Sequence, residues 1–475
     1  MSAELMQKPF CEQARLVRDG EVSAKELTEA AISEIERLNP RLNAVTIPLF
    51  DYALNQVAEL TGSEPYAGVP FLLKDMVAEL AGTELTEGSQ FLKGHISTHD
   101  SELVARYRRA GMIFVGKTNT PEYASKPTTE PLMYGPTRNP WDTSLSPAGS
   151  SGGSGAAVAA GMVAAGHAND GGGSIRLPAA WNGLVGLKPT RGRNPLGPDY
   201  GELAAGLVCE HVVTRTVADN AALLDITHGP QAGDPYLLPE PANSFLEETR
   251  IEPGKLRIAF SDSPITPTSV HDDCCHAVRD VAKLCEDLGH HVEEAKPAID
   301  APHFNDFFTS IWLGMVAWAI RDWSRRTGRA PQEECFEPHT WKMFTLDEKR
   351  HPSDLLLAIQ DMHRFAREVA PFFETYDVWL TPTSTVPPQA LGYFDSDPNF
   401  PRRATERMEN VPRFTAVANA TGQPAISLPL CWNKQGLPIG IQLLGRFADE
   451  ATLFRLSSQL EAARPWHHRW PQLTP

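Results

Sequence analysis

The chain is poor in cysteine, with seven in 475 residues, at 11, 209, 274, 275, 285, 335 and 431, and no C-x-x-C pair. An odd, scattered set in a long chain argues against a disulfide framework and fits a reducing compartment. No run approaches the ~18 apolar residues a membrane span needs; the best, 156–166, is short and alanine-rich. The opening MSAELMQKPFCEQ has no basic segment leading into an apolar one, so no secretory signal is read and a cytoplasmic location is expected. Positive charge is also scarce. Forty-three Lys and Arg against 59 Asp and Glu give a net charge of −16, a field that repels phosphate backbones. The basic clusters are small, Arg106 with Arg108 and Arg109, and Arg402 with Arg403; they read as solvated helix or loop. Neither nucleic acid nor a membrane is an expected partner. The run Asp272, Asp273, Cys274, Cys275, His276 puts metal-ligand residue types side by side rather than at ligand spacing, so it reads as a helix start and no metal is expected.

What is present is enough for a large core, since 41% of residues are hydrophobic. Ser23 and Glu26 form a capping box, and Leu27, Ala31, Ile32, Ile35 and Leu38 follow at helical spacing, with Pro40 expected to stop the helix. Residues 68–73 are a short apolar run that reads as a buried strand ending on Lys74 and Asp75. A helix over 104–110 and a strand over 112–115 come next. Further along, strands are expected at 256–260, 379–381 and 439–444, and helices at 277–288 and 450–460. Interleaved strands and helices give an α/β class. The proline-rich stretches 382–388 and 398–401 read as loops.

From 144 to 190 the composition turns to Ser and Gly, with no aromatic before Trp181. A flexible linker would not carry the runs AAVAAGMVAA and LVGL, so the glycines point to a backbone that approaches something closely. A small-residue helix is expected over 156–165. Three motif readings compete here and just upstream. Gly111 to Thr118 matches G-x-x-x-x-G-K-[ST] literally, but its inner residues Met, Ile, Phe and Val make a strand, not a phosphate cradle. Gly149-Ser150-Ser151-Gly152-Gly153 contains G-x-S-x-G, which would make Ser151 a nucleophile-elbow serine, yet a loop rather than a strand precedes it. In the third reading, Gly171, Gly172 and Gly173 aim backbone N–H groups at one point as an oxyanion hole, with Ser174 beside them as nucleophile. Lys74, behind an apolar run, could serve as base if burial lowers its pKa. Sequence chemistry alone leaves a structural turn and a salt-bridged lysine equally open.

Taken together, GVPFLLKD (68–75), GKTNTPE (116–122), GPTRNPW (135–141), AGSSGGSGAAVAAG (148–161) and NDGGGSIRLPAAWNGLVGLKPTRGR (169–193) resemble the amidase signature family. GQPAISLPL (422–430) and GLPIGIQLLG (436–445) extend the resemblance over most of the chain. It implies one amidase domain over 1–475, with a catalytic core at about 66–195 and a C-terminal part, about 250–475, completing sheet and pocket. The implied fold is a large twisted mixed β-sheet covered by helices on both faces. The family's Ser–cis-Ser–Lys triad falls on Ser174, Ser150 and Lys74, with the cis peptide at Gly149–Ser150. Backbone N–H groups of Gly171, Gly172, Gly173 and Ser174 become the oxyanion donors. Ser151 would stand behind the triad, and Asp170 with Arg176 would form an ion pair behind the loop. The implied activity is hydrolysis of small-molecule carboxylic amides through an acyl-enzyme, with no cofactor, and homodimers are common in the family.

Three departures stand out. Asn169 replaces the usual Thr, His167 replaces an aliphatic residue, and Leu177 stands where tRNA-dependent amidotransferase subunits carry Gln. The last argues against a tRNA-modifying complex. A triad of His167, Asp170 and Ser174 is conceivable, but three groups on one short segment would struggle to line up. Thr128, Thr129, Tyr134 and Trp181 are candidate pocket walls, and the helix over 311–318 is a further candidate for which core packing is the better reading. KTNTPE, NDGGGSIR and LKPTRGR look like bacterial members of the family and hint at small or lactam-like amides. A non-catalytic or amidotransferase-type subunit, and an esterase using Ser151, remain the alternatives.

Overall fold

Short apolar runs with side chains alternating at a period of two can cover a sheet on both faces. The computed structural model describes residues 2–299, 302–396, 399–400 and 402–473; of the loop expected at 398–401, residues 398 and 401 lie outside the described residues. The strands are β1 (Val45–Pro48), β2 (Pro70–Lys74), β3 (Ile113–Thr118), β4 (Ala165–Asp170), β5 (Val185–Lys188), β6 (Cys209–Thr214), β7 (Arg257–Phe260), β8 (His291–Glu294), β9 (Val378–Pro382), β10 (Ala425–Trp432) and β11 (Pro438–Gly445). They form one sheet in the order β1-β3-β2-β4-β6-β5-β10-β11-β9-β7-β8. β2 is parallel to β3 and β4, and β7 to β8 and β9. The remaining pairs are antiparallel, so the sheet is mixed.

Alternation is visible in the packing. Along β2, Phe71 and Leu73 pack with Tyr107, Val212 and Leu223, while Leu72 packs with Leu27, Ala156 and Ala157. Along β9, Val378 and Leu380 pack with Val278 and Phe454, while Trp379 packs with Phe365 and Ala416. Helices Asp272–Asp287 and Glu450–Ala463 therefore cover one face of this half, and helices Pro352–Val369 and Thr415–Thr421 the other. The α/β class agrees with the expectation from the residues, and the mixed sheet with the fold that the resemblance implies.

Two local expectations are corrected. Pro40 does not stop its helix: Ala24–Leu42 carries it in the last turn and ends at Asn43, in the left-handed region with φ 50°. A proline that close to the end forfeits little, because the chain is about to leave the helix anyway. The small-residue helix is Gly152–Ala160, earlier than 156–165, and Gly161 ends it. The next element is strand β4, buried at every residue, so its sequence shows no alternation. The literal P-loop match is strand β3, and Lys117 Nζ donates to the Glu84 carbonyl at 2.6 Å.

One buried ion pair joins the Gly-rich half to the C-terminal half. Arg176 opens the helix Arg176–Asn182 and grips Asp170 at the end of β4 with Nε and Nη2, both at 2.9 Å. Its remaining donors reach the Thr415 carbonyl (2.8 Å), Gln442 Oε1 (2.7 Å) and Asn419 Oδ1 (2.7 Å). Neither side chain of the pair is exposed. Burial raises the Asp170 carboxyl, but the guanidinium outweighs it and holds the group at about 2. Arg176→Ala leaves a charged carboxylate buried without its partner, so a loss of about 3–5 kcal/mol is expected. A lowered unfolding midpoint in urea checks this; an unchanged midpoint contradicts it.

Candidate active site

Strand β2 delivers Lys74 as its last residue, with the whole strand buried. Lys74 Nζ donates to Ser150 Oγ at 2.7 Å and to Asn169 Oδ1 at 2.5 Å. Burial is the main influence on the amine and pulls it down to about 7, against the opposing charges of Glu210, Asp170 and Glu87. Each pKa unit corresponds to ~1.4 kcal/mol, so removal from water outweighs three carboxylates here.

The segment carrying Ser150 is held by close approach. The Gly149–Ser150 peptide is cis. A Cβ on Gly149 would lie 2.4 Å from the Thr128 backbone nitrogen, so no larger residue fits. Thr129 Oγ1 donates to the Ala148 carbonyl at 3.0 Å and accepts from the Gly152 N–H at 3.1 Å. Ser151 is fully buried, and its Oγ donates to the Asn169 carbonyl at 3.2 Å.

The second loop, 171–174, is fixed from both ends. Asp170 Oδ2 accepts from the N–H groups of Ile175 (3.1 Å) and Arg176 (3.4 Å), and Thr415 Oγ1 donates to the Gly172 carbonyl at 2.6 Å. Gly173 has φ +144°, and a Cβ there would lie 2.4 Å from Thr415 Oγ1. No described residue accepts from the N–H groups of Gly171, Gly172, Gly173 or Ser174, nor does the Ser174 hydroxyl have a partner. The Ser174 carbonyl accepts from Ser151 N–H at 3.3 Å, so the two serine-bearing loops touch.

Ser174 stands where two cavities meet. The wider, about 290 Å³, has walls from Phe304, Phe308, Trp312, Leu177, Met343 and Met408. The narrower, about 40 Å³, is lined by Ser150, Asn169, Met76, Val77, Val208 and Trp312 among others. Of the proposed pocket residues, Thr128 bonds Ser146 and Glu130, Thr129 holds the Ser150 segment, and Trp181 is buried against Leu177, Phe394 and Val411. Tyr134 Oη donates to Thr86 Oγ1 at 3.3 Å. None of the four lines either cavity. The helix over 311–318 plays both parts, with Ile311 in the core, Val316 in the core and at the narrow cavity, and Trp312 at both cavities.

His167 does not join Asp170 and Ser174. Its Nδ1 accepts the Lys74 backbone N–H at 3.3 Å, which leaves Nε2 to carry the ring proton toward Glu210 Oε1. That oxygen is 3.1 Å away but off the line of a straight hydrogen bond. Both side chains are buried, directly behind Lys74. Sequence reasoning missed Glu210, Thr415, Asn419 and Gln442, which have no local motif. It also passed over Phe304 and Phe308, which precede Trp312 at a spacing of four in the sequence. The one His/carboxylate trio of metal-binding proximity among the described residues is Glu79, His99 and Asp199. Arg326 already bridges its two carboxylates, at 2.5 Å and 3.2 Å.

Comparison with known proteins places the chain in a family. The amidase family model matches residues 26–454. The 6-aminohexanoate-cyclic-dimer hydrolase of Paenarthrobacter ureafaciens is 37% identical over 474 residues, 97% of this chain and 96% of that protein. A solved structure of 6-aminohexanoate cyclic dimer hydrolase with substrate superposes with TM-score 0.93 at 35% identity, covering 98% of this chain and 99% of that one. A bacterial aryl acylamidase of the amidase signature family gives TM-score 0.89 at 25% identity, covering 98% and 99%. The chain belongs to the amidase signature family and is an amidohydrolase.

Proposed function

We propose that this enzyme cleaves carboxylic amides through an acyl-enzyme on Ser174, with Ser150 as proton relay and Lys74 as base. The observation that carries the reading is the Lys74 amine, held at about 7 by burial and 2.7 Å from Ser150 Oγ. A general base works best with a pKa near the operating pH. Above about pH 7 the neutral form of the amine predominates, and it keeps one lone pair and two N–H groups. Asn169 Oδ1 can only accept, so it holds one N–H, and on deprotonation the amine is free to turn its lone pair to Ser150, reversing the donation made by the ammonium form.

This reading orders the proton moves. Ser174 Oγ turns to Ser150, passes its proton to Ser150 Oγ as the Ser150 proton goes to Lys74 Nζ, and attacks the amide carbonyl. The N–H groups of residues 171–174 receive the oxyanion; one such donor is worth about 2.7–4 kcal/mol. The proton returns through Ser150 to the leaving nitrogen, the C–N bond breaks, and water hydrolyses the Ser174 ester by the same relay. A small-molecule amide is the substrate, in keeping with relatives named for a cyclic amide and for aryl acylamides.

A fluorophosphonate followed by peptide mapping tests this directly. One adduct on Ser174 is expected, strongly slowed by Lys74→Ala, whose amide turnover falls by about 10²–10⁴-fold. An adduct on Ser151 would favour the elbow reading instead, and none on folded protein would leave a non-catalytic subunit.

The Glu210 charge favours the Lys74 ammonium, so removing it takes the amine further below about 7. The neutral base then survives to lower pH. Glu210→Gln is expected to move the acid limb of the kcat/KM profile downward in pH; a limb that stays put or moves up sinks this role for the His167–Glu210 pair.

A further inference from the structure

The two cavities at Ser174 differ in size and in which catalytic groups they present. They share only Ala124, Ser174 and Trp312 among their lining residues. Ser150 and Asn169 line the narrow one alone. The wide one has Gly172 and Gly173 at its inner end and a wall of aromatic rings. Phe304, Phe308 and Trp312 stack in turn, with centroids 5.5 Å and 6.0 Å apart and planes 20° and 13° from parallel. Trp312 is the partition. Its six-membered ring packs so near Gly171 that a Cβ there would lie 3.1 Å from Cζ3, and its Nε1 donates to the Ser125 carbonyl at 3.3 Å.

The direction of proton transfer assigns the two sides. The C–N bond can break only when the leaving nitrogen gains a proton, and in the acyl-enzyme reading above that proton comes from Ser150. The nitrogen must therefore face the narrow compartment, and the carbonyl's carbon substituent must point into the wide one. At roughly 10–15 Å³ per water-sized group, 40 Å³ admits about three heavy atoms, whereas 290 Å³ admits an aryl ring or an alkyl chain of many carbons.

We propose that the substrates are amides of large apolar carboxylic acids with a small leaving amine, ammonia or a one- or two-carbon alkylamine, and that Trp312 sets this limit. The proposal rests on the acyl-enzyme reading and sharpens it. It also separates this enzyme from a hydrolase of a cyclic dimer, where the leaving amine stays tied to the acyl part and cannot be small. In the cleavage, the carbonyl carbon gains the Ser174 Oγ bond and loses the C–N bond. The serine proton leaves with the amine.

Octanamide and N-octylacetamide provide the test, since they carry the same alkyl chain on opposite sides of the amide bond. Octanamide is expected to show the higher kcat/KM by about 10²-fold or more, the range that pocket size alone can supply. Trp312→Ala merges the compartments, so it is expected to raise N-octylacetamide turnover relative to octanamide by at least about tenfold. Equal or reversed preference in the unmodified enzyme overturns the assignment, whether or not the variant folds. So does a folded Trp312→Ala protein with an unchanged ratio. Protein that labels on Ser174 with fluorophosphonate but leaves octanamide intact also overturns the substrate class. Protein that neither labels nor cleaves any amide overturns the acyl-enzyme reading beneath it.

Discussion

A carboxylate and a guanidinium cut off from water must find every hydrogen-bond partner within the protein, and Asp170 and Arg176 do so across three segments of the chain. Asp170 takes the N–H groups of Ile175 and Arg176 as well as the guanidinium and the Asn419 amide. Arg176 spends its other donors on residues 415, 419 and 442. The consequence falls on residues 171–174, between strand and helix. Their ends are pinned, Thr415 holds the Gly172 carbonyl, and their N–H groups stay unspent. A glycine loop without that anchor would be free to satisfy its own amides in a turn, and the ordering would be lost to backbone entropy.

The second constraint is electrostatic. Lys74 ends a strand with no access to solvent, and its ammonium form loses hydration that three carboxylates only partly replace. Were the site wet, the amine would stay charged at neutral pH. Were Glu210, Asp170 and Glu87 absent, it would lie lower still. The pair His167 and Glu210 sits behind the lysine backbone, one contact removed from the amine. The departures at 167 and 169 thus bear on the lysine through geometry: Asn169 accepts from its amine, and His167 accepts from its backbone.

Much of this was legible in residues that are neighbours in sequence. The capping box at Ser23, the apolar run ending on Lys74, and the glycines of 149 and 171–173 each carry a local signal with a physical cause. Strand β4 was not legible, because a strand buried throughout has no polar face to mark its period. Four of the pocket walls were misplaced for a related reason. Trp181 follows the glycine loops in sequence but packs into the core, and Thr128 and Thr129 spend their hydroxyls on neighbouring loops, whereas the cavity is walled by the helix that carries Trp312, for which core packing was the preferred reading. The clamp residues 415, 419 and 442 act through tertiary contacts alone, which no spacing announces.

Catalysis by this route requires that Lys74 carry no charge at the pH where the enzyme works. Titration of protein labelled with 13Cε-lysine, followed by NMR, reads this directly, with Lys74→Arg identifying the resonance. One lysine signal titrating with a midpoint near 7, and missing from the Lys74→Arg spectrum, is the expected result. A Lys74 resonance that stays in its ammonium position up to pH 9 would contradict it.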